Sequence, residues 1–147
     1  MSTQLKALEL WRHSLVASVR GDAPDLSARQ MALLLCVYLD DGPHTVRGMA
    51  KELKISKPAV SRALDRLGEL GYIRRERDEL DRRNVLIRRT LGGAEFLSSF
   101  AALVVKAREL VEAMPSRENV LDAGAGESRR EENQDYSPAQ TWVGAAA

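Results

Sequence analysis

Residues 55–62, Ile55-Ser-Lys-Pro-Ala-Val-Ser-Arg62, decide how this chain is read. Ser56 is a good helix N-cap, and Pro58 falls in the first turn, where a missing N–H costs nothing. Val60, Leu64 and Leu67 then recur at helical spacing as an inward stripe. The side opposite that stripe holds Pro58, Ser61, Arg62, Asp65, Arg66 and Glu69. Gly71 follows Leu70 at the position where many helices end in a left-handed residue. Just upstream, Thr45 caps a shorter helix whose Val46, Met49, Ala50 and Leu53 face inward. Only Lys54-Ile55 separates the two helices, so they meet as a helix-turn-helix.

Downstream, Tyr72–Arg75 and Val85–Arg89 are short β-like runs, and the nine residues Glu76 to Asn84 lie between them. That pattern predicts a two-stranded ribbon with a charged tip. Thr90 caps a long helix with a broad stripe of Phe96, Leu97, Phe100, Leu103, Val104, Ala107, Leu110, Val111 and Met114, ended by Pro115. Upstream, Ser27 and Gln30 form a capping box before Met31, Leu34, Leu35 and Tyr38, and Asp40-Asp41-Gly42-Pro43 stops that helix. Leu5, Leu8, Trp11, Leu15 and Val19 mark an amphipathic helix over residues 3–20. The expected fold is mainly α with a small β-wing: a winged helix-turn-helix with flanking N- and C-terminal helices over residues 1–114, its core at 26–93. Residues 115–147 change to Gly, Ala, Ser, Asn, Glu and Arg and read as an acidic, flexible tail, with Tyr136 and Trp142 its aromatics.

Composition narrows the function classes. A chain of 147 residues with 44% hydrophobic and 29% charged residues fits one soluble globular domain. No apolar stretch is long enough to cross a bilayer, and the opening Met1-Ser-Thr-Gln-Leu-Lys lacks a secretory pattern. The lone Cys36 excludes an internal disulfide and favours a cytoplasmic location. Cys36 lies in an apolar helix face, which reads as an inert buried thiol. His13 and His44 are too few for most metal sites, so no metal and no cofactor are expected. No nucleophile–base pair or phosphate loop stands out, and Gly124-Ala-Gly126 follows no strand, so an enzyme is not expected.

Charge is uneven. The chain carries a formal +1, yet residues 47–89 hold thirteen basic and seven acidic groups. A basic block in a near-neutral chain suggests a face for a polyanion, although an ordinary solvated surface accounts for charge alone. The short polar and basic groups at the start of the fourth helix, Ser56, Lys57, Pro58, Ser61 and Arg62, with Arg66 further along, suit base edges in a major groove. Arg74, Arg75, Arg77, Arg82, Arg83, Arg88 and Arg89 fall within sixteen residues, all arginine and none lysine. Arginine is favoured in a narrow minor groove, and Asp81 is placed to hold Arg83 extended beside Arg82. Thr45, Arg75 and Arg77 are candidate phosphate contacts. A weak surface salt-bridge cluster is the competing account of the same arginines.

Leu26-Ser-Ala-Arg-Gln30, Ile55-Ser-Lys-Pro-Ala-Val-Ser-Arg62, Leu67-Gly-Glu-Leu-Gly-Tyr-Ile73, Asp78-Glu-Leu-Asp-Arg-Arg83 and Thr90-Leu-Gly-Gly93 together resemble the multiple antibiotic resistance regulator (MarR) family of bacterial transcription factors. The resemblance implies a dimer on a palindromic operator of double-stranded DNA, acting as a repressor, with the fourth helix in the major groove and Arg83 of the wing in the minor groove. Asp81 and Arg83 match the family's Asp-x-Arg pair. It also implies a small-molecule effector. The stripe Leu5, Leu8, Trp11 and Leu15, with Phe100, Val104, Leu110 and Met114, is the expected homodimer surface. A different class remains open from the residues alone: a winged-helix module that docks on another protein through its wing and C-terminal tail.

Overall fold

The structure, a computed structural model, describes residues 1–117 and 121. Apart from residues 115–117 and 121, the expected acidic tail, with Tyr136 and Trp142, lies outside the described residues. Among the described residues the order is α1 (Thr3–Arg20), α2 (Ala28–Leu39), β1 (His44–Thr45), α3 (Val46–Leu53), α4 (Lys57–Glu69), β2 (Ile73–Arg77), β3 (Val85–Arg89) and α5 (Leu91–Glu112). This is the expected winged helix-turn-helix with a flanking helix at each end.

Side-chain oxygens start the helices where the sequence places them. Ser27 accepts from the Gln30 amide while the Gln30 side chain accepts from the Ser27 amide, a complete capping box. Thr45, Ser56 and Thr90 accept from the amides of Gly48, Ala59 and Gly93 in the same way. Two residues take left-handed backbone at helix ends: Lys54 closes α3 with φ 53°, and Gly71 follows α4 with φ 77°.

The core gathers between the helix-turn-helix and the sheet. Leu33, Leu34 and Val37 of α2 meet Met49 of α3, Val60, Leu64 and Leu67 of α4, and Ile73 and Ile87 of the wing. The inward stripe of α4 is as expected. On α2 the buried set is shifted, since Met31 and Leu35 are only partly covered while Leu33 and Val37 are enclosed.

The sheet corrects the two-stranded expectation. It has three strands in the order β1-β3-β2, with His44 opposite Ile87 and Thr45 opposite Leu86. A two-residue strand carries no periodicity, so β1 had no signal of its own. The second strand also starts one residue later and runs two further than expected, to Arg77. The loop is therefore 78–84, shorter than the nine residues first read.

One hydroxyl ties these parts together. Tyr38 Oη, at the end of α2, accepts from the Thr90 amide at 2.8 Å and lies 2.8 Å from the Tyr72 carbonyl and 2.9 Å from the Thr90 carbonyl. Thr90 Oγ1 donates to the Gly71 carbonyl at 2.7 Å. The Tyr72 ring stacks on Phe96 of α5 with centroids 4.5 Å apart. Gly93 sits against this node so closely that a methyl group there would overlap Tyr38 Oη and the Tyr72 carbonyl oxygen.

α1 packs on α5 with its partly polar face. At about 100° per residue, Leu8, Trp11, Leu15 and Val19 share an arc of roughly 80°, and all four are exposed. The enclosed residues of α1 are Leu5, Glu9 and Ser14. Leu5, expected on the dimer surface, is buried within the chain's own α1–α5 contact. Glu9 is enclosed beside Arg12, whose Nη2 donates at 2.6 Å, and beside Arg117.

Tyr38→Phe leaves the Thr90 amide without its acceptor and should cost about 1–3 kcal/mol. Gly93→Ala should cost about as much, at the upper end of overpacking, roughly 3 kcal/mol. Urea midpoints test both; an unshifted midpoint for Gly93→Ala would mean that the node relaxes freely.

Candidate nucleic-acid interface

The N-terminal half of α4 presents its polar side outward. Lys57, Pro58 and Arg62 are exposed, and Ser61 and Arg66 are half-exposed. Ser56 is exposed as well, with its Oγ engaged as the cap. Among the described residues, Lys57, Ser61, Arg62 and Arg66 have no hydrogen-bond or ion-pair partner in a side chain, so their polar groups are turned to water. Asp65, one turn from Arg62, is paired with Arg75 of β2 at 2.6 Å rather than with Arg62.

That ion pair fixes the wing against α4. Strand alternation puts Ile73, Arg75 and Arg77 on one side of β2 and Arg74 and Glu76 on the other. Ile73 is buried in the core. The Ile73 side therefore leads from the core, past the Arg75–Asp65 pair on the outward side of α4, to exposed Arg77. Arg75, expected at a phosphate, is committed to Asp65 here. On the opposite side, Glu76 holds Arg88 at 3.3 Å and Arg74 at 3.7 Å. Thr45 spends its hydroxyl lone pair on the Gly48 amide.

Arg89 has a structural task that the sequence did not reveal. Its Nε donates to the Val37 carbonyl at 2.7 Å and its Nη2 to the Asp40 carbonyl at 2.9 Å. A cation there meets the negative end of α2 and fills acceptors the helix leaves open. Its guanidinium also lies 5.9 Å from the centre of the Tyr38 ring.

The wing tip is organised by two aspartates. Asp78 Oδ1 accepts from the Leu80 amide at 3.0 Å, and the Asp78 amide donates to the Asn84 carbonyl at 3.1 Å. Asp81 Oδ1 accepts from both the amide and Nε of Arg83, each at 3.2 Å. The Asp81–Arg83 pair expected from the sequence is present, and the Arg83 side chain is still 84% exposed. Arg82 beside it is exposed and has no ion-pair partner among the described residues.

The cations thus divide into two sets. Arg74, Arg75, Arg88 and Arg89 are tied to neighbours within the wing, α4 and α2. Lys57, Arg62, Arg66, Arg77, Arg82 and the splinted Arg83 reach water from α4 and the outer wing. No group of three or more His, Cys, Asp or Glu side chains suited to a metal occurs among the described residues, and no described helix is long and apolar enough to cross a membrane. Cys36 is half-buried, and burial, followed by the charges of Asp40 and Glu52, pushes its thiol up from the ordinary value.

Residues 24–84 match the sequence profile of the MarR family. A comparison with curated proteins finds no match. A variant of S. aureus MepR bound to an oligodeoxyribonucleotide superposes with a TM-score of 0.64 at 20% identity, over 86% of this chain and 91% of that one. A MarR transcriptional regulator from Methanosarcina mazei gives 0.51 at 26% identity, over 71% and 75%. A transcriptional regulator from Thermotoga maritima gives 0.54 at 24% identity, over 72% and 68%.

A raised thiol carries less thiolate at neutral pH, so Cys36 should react with iodoacetamide more slowly than free cysteine, and faster as pH climbs beyond the ordinary thiol range. A rate equal to that of free cysteine at neutral pH would contradict the burial of this thiol. The matched segment spans the capping box of α2, the helix-turn-helix and most of the wing, the parts that carry the water-facing cations; over that segment, on a winged helix-turn-helix fold, the chain is similar to the MarR family.

Proposed function

We propose that this chain binds double-stranded DNA sequence-specifically, as a homodimer on a palindromic operator, and acts as a cytoplasmic repressor. The observation that carries the reading is the sorting of cations just described. The groups left facing water sit on the outward side of α4 and on the outer wing, and the Arg75–Asp65 pair holds those two elements together. In this reading α4 enters the major groove, with Arg62 and Ser61 at base edges and Lys57 and Arg66 beside them. Arg83, splinted by Asp81, enters the adjacent minor groove with Arg82. Arg77 meets a phosphate. The MepR structure with an oligodeoxyribonucleotide supports a nucleic-acid partner for this fold.

Dimerisation is supported by the outward stripe of α1. Trp11 is 57% exposed and Leu8 50%, with Leu15 exposed on the same side of α1, and Leu110 is exposed on α5. Large apolar groups gathered on one face mark an interaction surface. Phe100, Val104 and Met114 are half-buried and flank it. A two-fold dimer built on these helices would place its heads on half-sites about 34–36 Å apart.

Selection of bound genomic fragments should recover a palindrome, and light scattering should give a dimer at micromolar concentration. Arg62→Ala should cost about 1–3 kcal/mol on the recovered site and relax the base preference at one position per half-site. Arg83→Ala should weaken binding with little change in major-groove preference. Failure to bind any duplex, or a monomer in solution, would contradict the reading.

A further inference from the structure

The first turn of α2 and the N-terminal half of α4 border a cleft of about 170 Å³, lined by Ser27, Arg29, Gln30, Ala59, Arg62 and Ala63. Two arginines from different helices flank it. Neither Arg29 nor Arg62 has a hydrogen-bond or ion-pair partner among the described residues, and both side chains are exposed. No carboxylate lines the cleft. This sets it apart from the wing, where most arginines already have an acidic partner or a carbonyl. Two like charges brought to one recess repel each other, and the arrangement is favourable only when an anion lies between them. The cleft floor is made of the small side chains Ala59 and Ala63, which leave room for an approaching group.

The backbone adds to the cations. The capping box satisfies the amides of Ser27 and Gln30. The amides of Ala28 and Arg29 lie in the same first turn, where no intrahelical acceptor is available. These amides form the positive end of the helix dipole, which favours an oxyanion. Arginine suits such a partner because its planar fork offers two parallel donors to phosphate.

We propose that the cleft between α2 and α4 seats a phosphate of the DNA backbone, with Arg29 and Arg62 on either side of it. The assignment rests on the DNA-binding reading above and adds Arg29, on a helix outside the helix-turn-helix pair, to the interface. Arg62 then stands at the boundary, able to reach a base edge on one side and the seated phosphate on the other. Arg29 is a positioning residue: it fixes the register of α4 along the duplex and reads no base.

The test measures fluorescence anisotropy of the full chain with two labelled duplexes, the one recovered by selection and a scrambled duplex of the same length, across about 50–200 mM salt. Arg29→Ala should weaken both duplexes by a similar factor, on the order of five-fold per protomer at about 0.15 M salt, and should flatten the slope of log K against log salt by about 0.9 per protomer. Arg29→Lys should retain most of the slope, and the exposed side chain predicts an unchanged thermal midpoint for both variants. Lys6→Ala, on the far helix α1, should leave the slope as it is. Wild-type affinity and slope for Arg29→Ala, with the native chain still binding, would overturn the phosphate seat and leave the DNA reading standing. Loss on the selected duplex alone, with the slope intact, would also overturn it, because that is the signature of a base contact. If the native chain binds neither duplex, the DNA reading itself falls and the seat with it.

Discussion

The Tyr38 hydroxyl ties three parts of the chain to one place. It sits at the end of α2, accepts from the first amide before α5, and lies within hydrogen-bond distance of the carbonyl that leads into β2. A hydroxyl has one proton and two lone pairs, so it serves a donor and a carbonyl together where an apolar ring could serve neither. Because Thr90 joins β3 to α5 and Tyr72 joins α4 to β2, the root of the wing, the end of α4 and the start of α5 are all referenced to one atom. Gly93 permits the approach, since any side chain there would push α5 away from that atom. The stacking of Tyr72 on Phe96 and the reach of Arg89 to the α2 carbonyls close the same joint from two other directions. With its root fixed in this way, the wing can carry several arginines without losing its direction.

Electrostatics then decides which arginines are free. An exposed ion pair contributes little to stability, typically well under 1 kcal/mol. Its larger effect here is geometric. The Asp65–Arg75 pair gives up one cation and one anion on the outward surface to set the angle between α4 and the wing. Asp81 gives up part of its charge to keep Arg83 extended. Glu76 removes Arg74 and Arg88 from the far side of the ribbon. The surface left over is a smaller basic face than the count of arginines suggests, but one whose members sit on elements held in register.

Much of this was legible from the residues. The caps at Ser27, Thr45, Ser56 and Thr90, the αL glycine at Gly71 and the stripe Val60, Leu64 and Leu67 are local signals, and local signals survive folding. The Asp81–Arg83 pair was legible because its partners are two residues apart. The partners of Arg75, Arg88 and Arg89 are ten or more residues away in sequence, so nothing local marked them. β1 was missed for the same reason: its two residues become a strand only because β3 lies beside them. Arg29 carried no distinguishing mark in a helix start rich in capping signals; its nearness to Arg62 is a product of how α2 crosses α4.

Of the α1 residues expected at a homodimer surface, Leu8, Trp11 and Leu15 are exposed and Leu5 is buried. Leu8, Trp11, Leu15 and Val19 repeat as a core-facing stripe would, yet the face of α1 that packs on α5 includes Glu9 and Ser14. Enclosing a carboxylate is costly unless it is paired, and Glu9 is paired with Arg12 beside it on α1 and with Arg117 beyond the end of α5. Those partners make the polar face usable within the chain and release the apolar face for another surface. In the proposed homodimer a second copy of the chain would cover that surface by two-fold symmetry, the same patch covering itself. In that assembly α5 runs from the Tyr38 joint at its start toward the shared interface at its far end, with only Thr90 between helix and wing. The separation of two DNA-binding heads would then be set by packed helices rather than by a flexible linker, and any shift of α5 would have to move the joint that aims the wing.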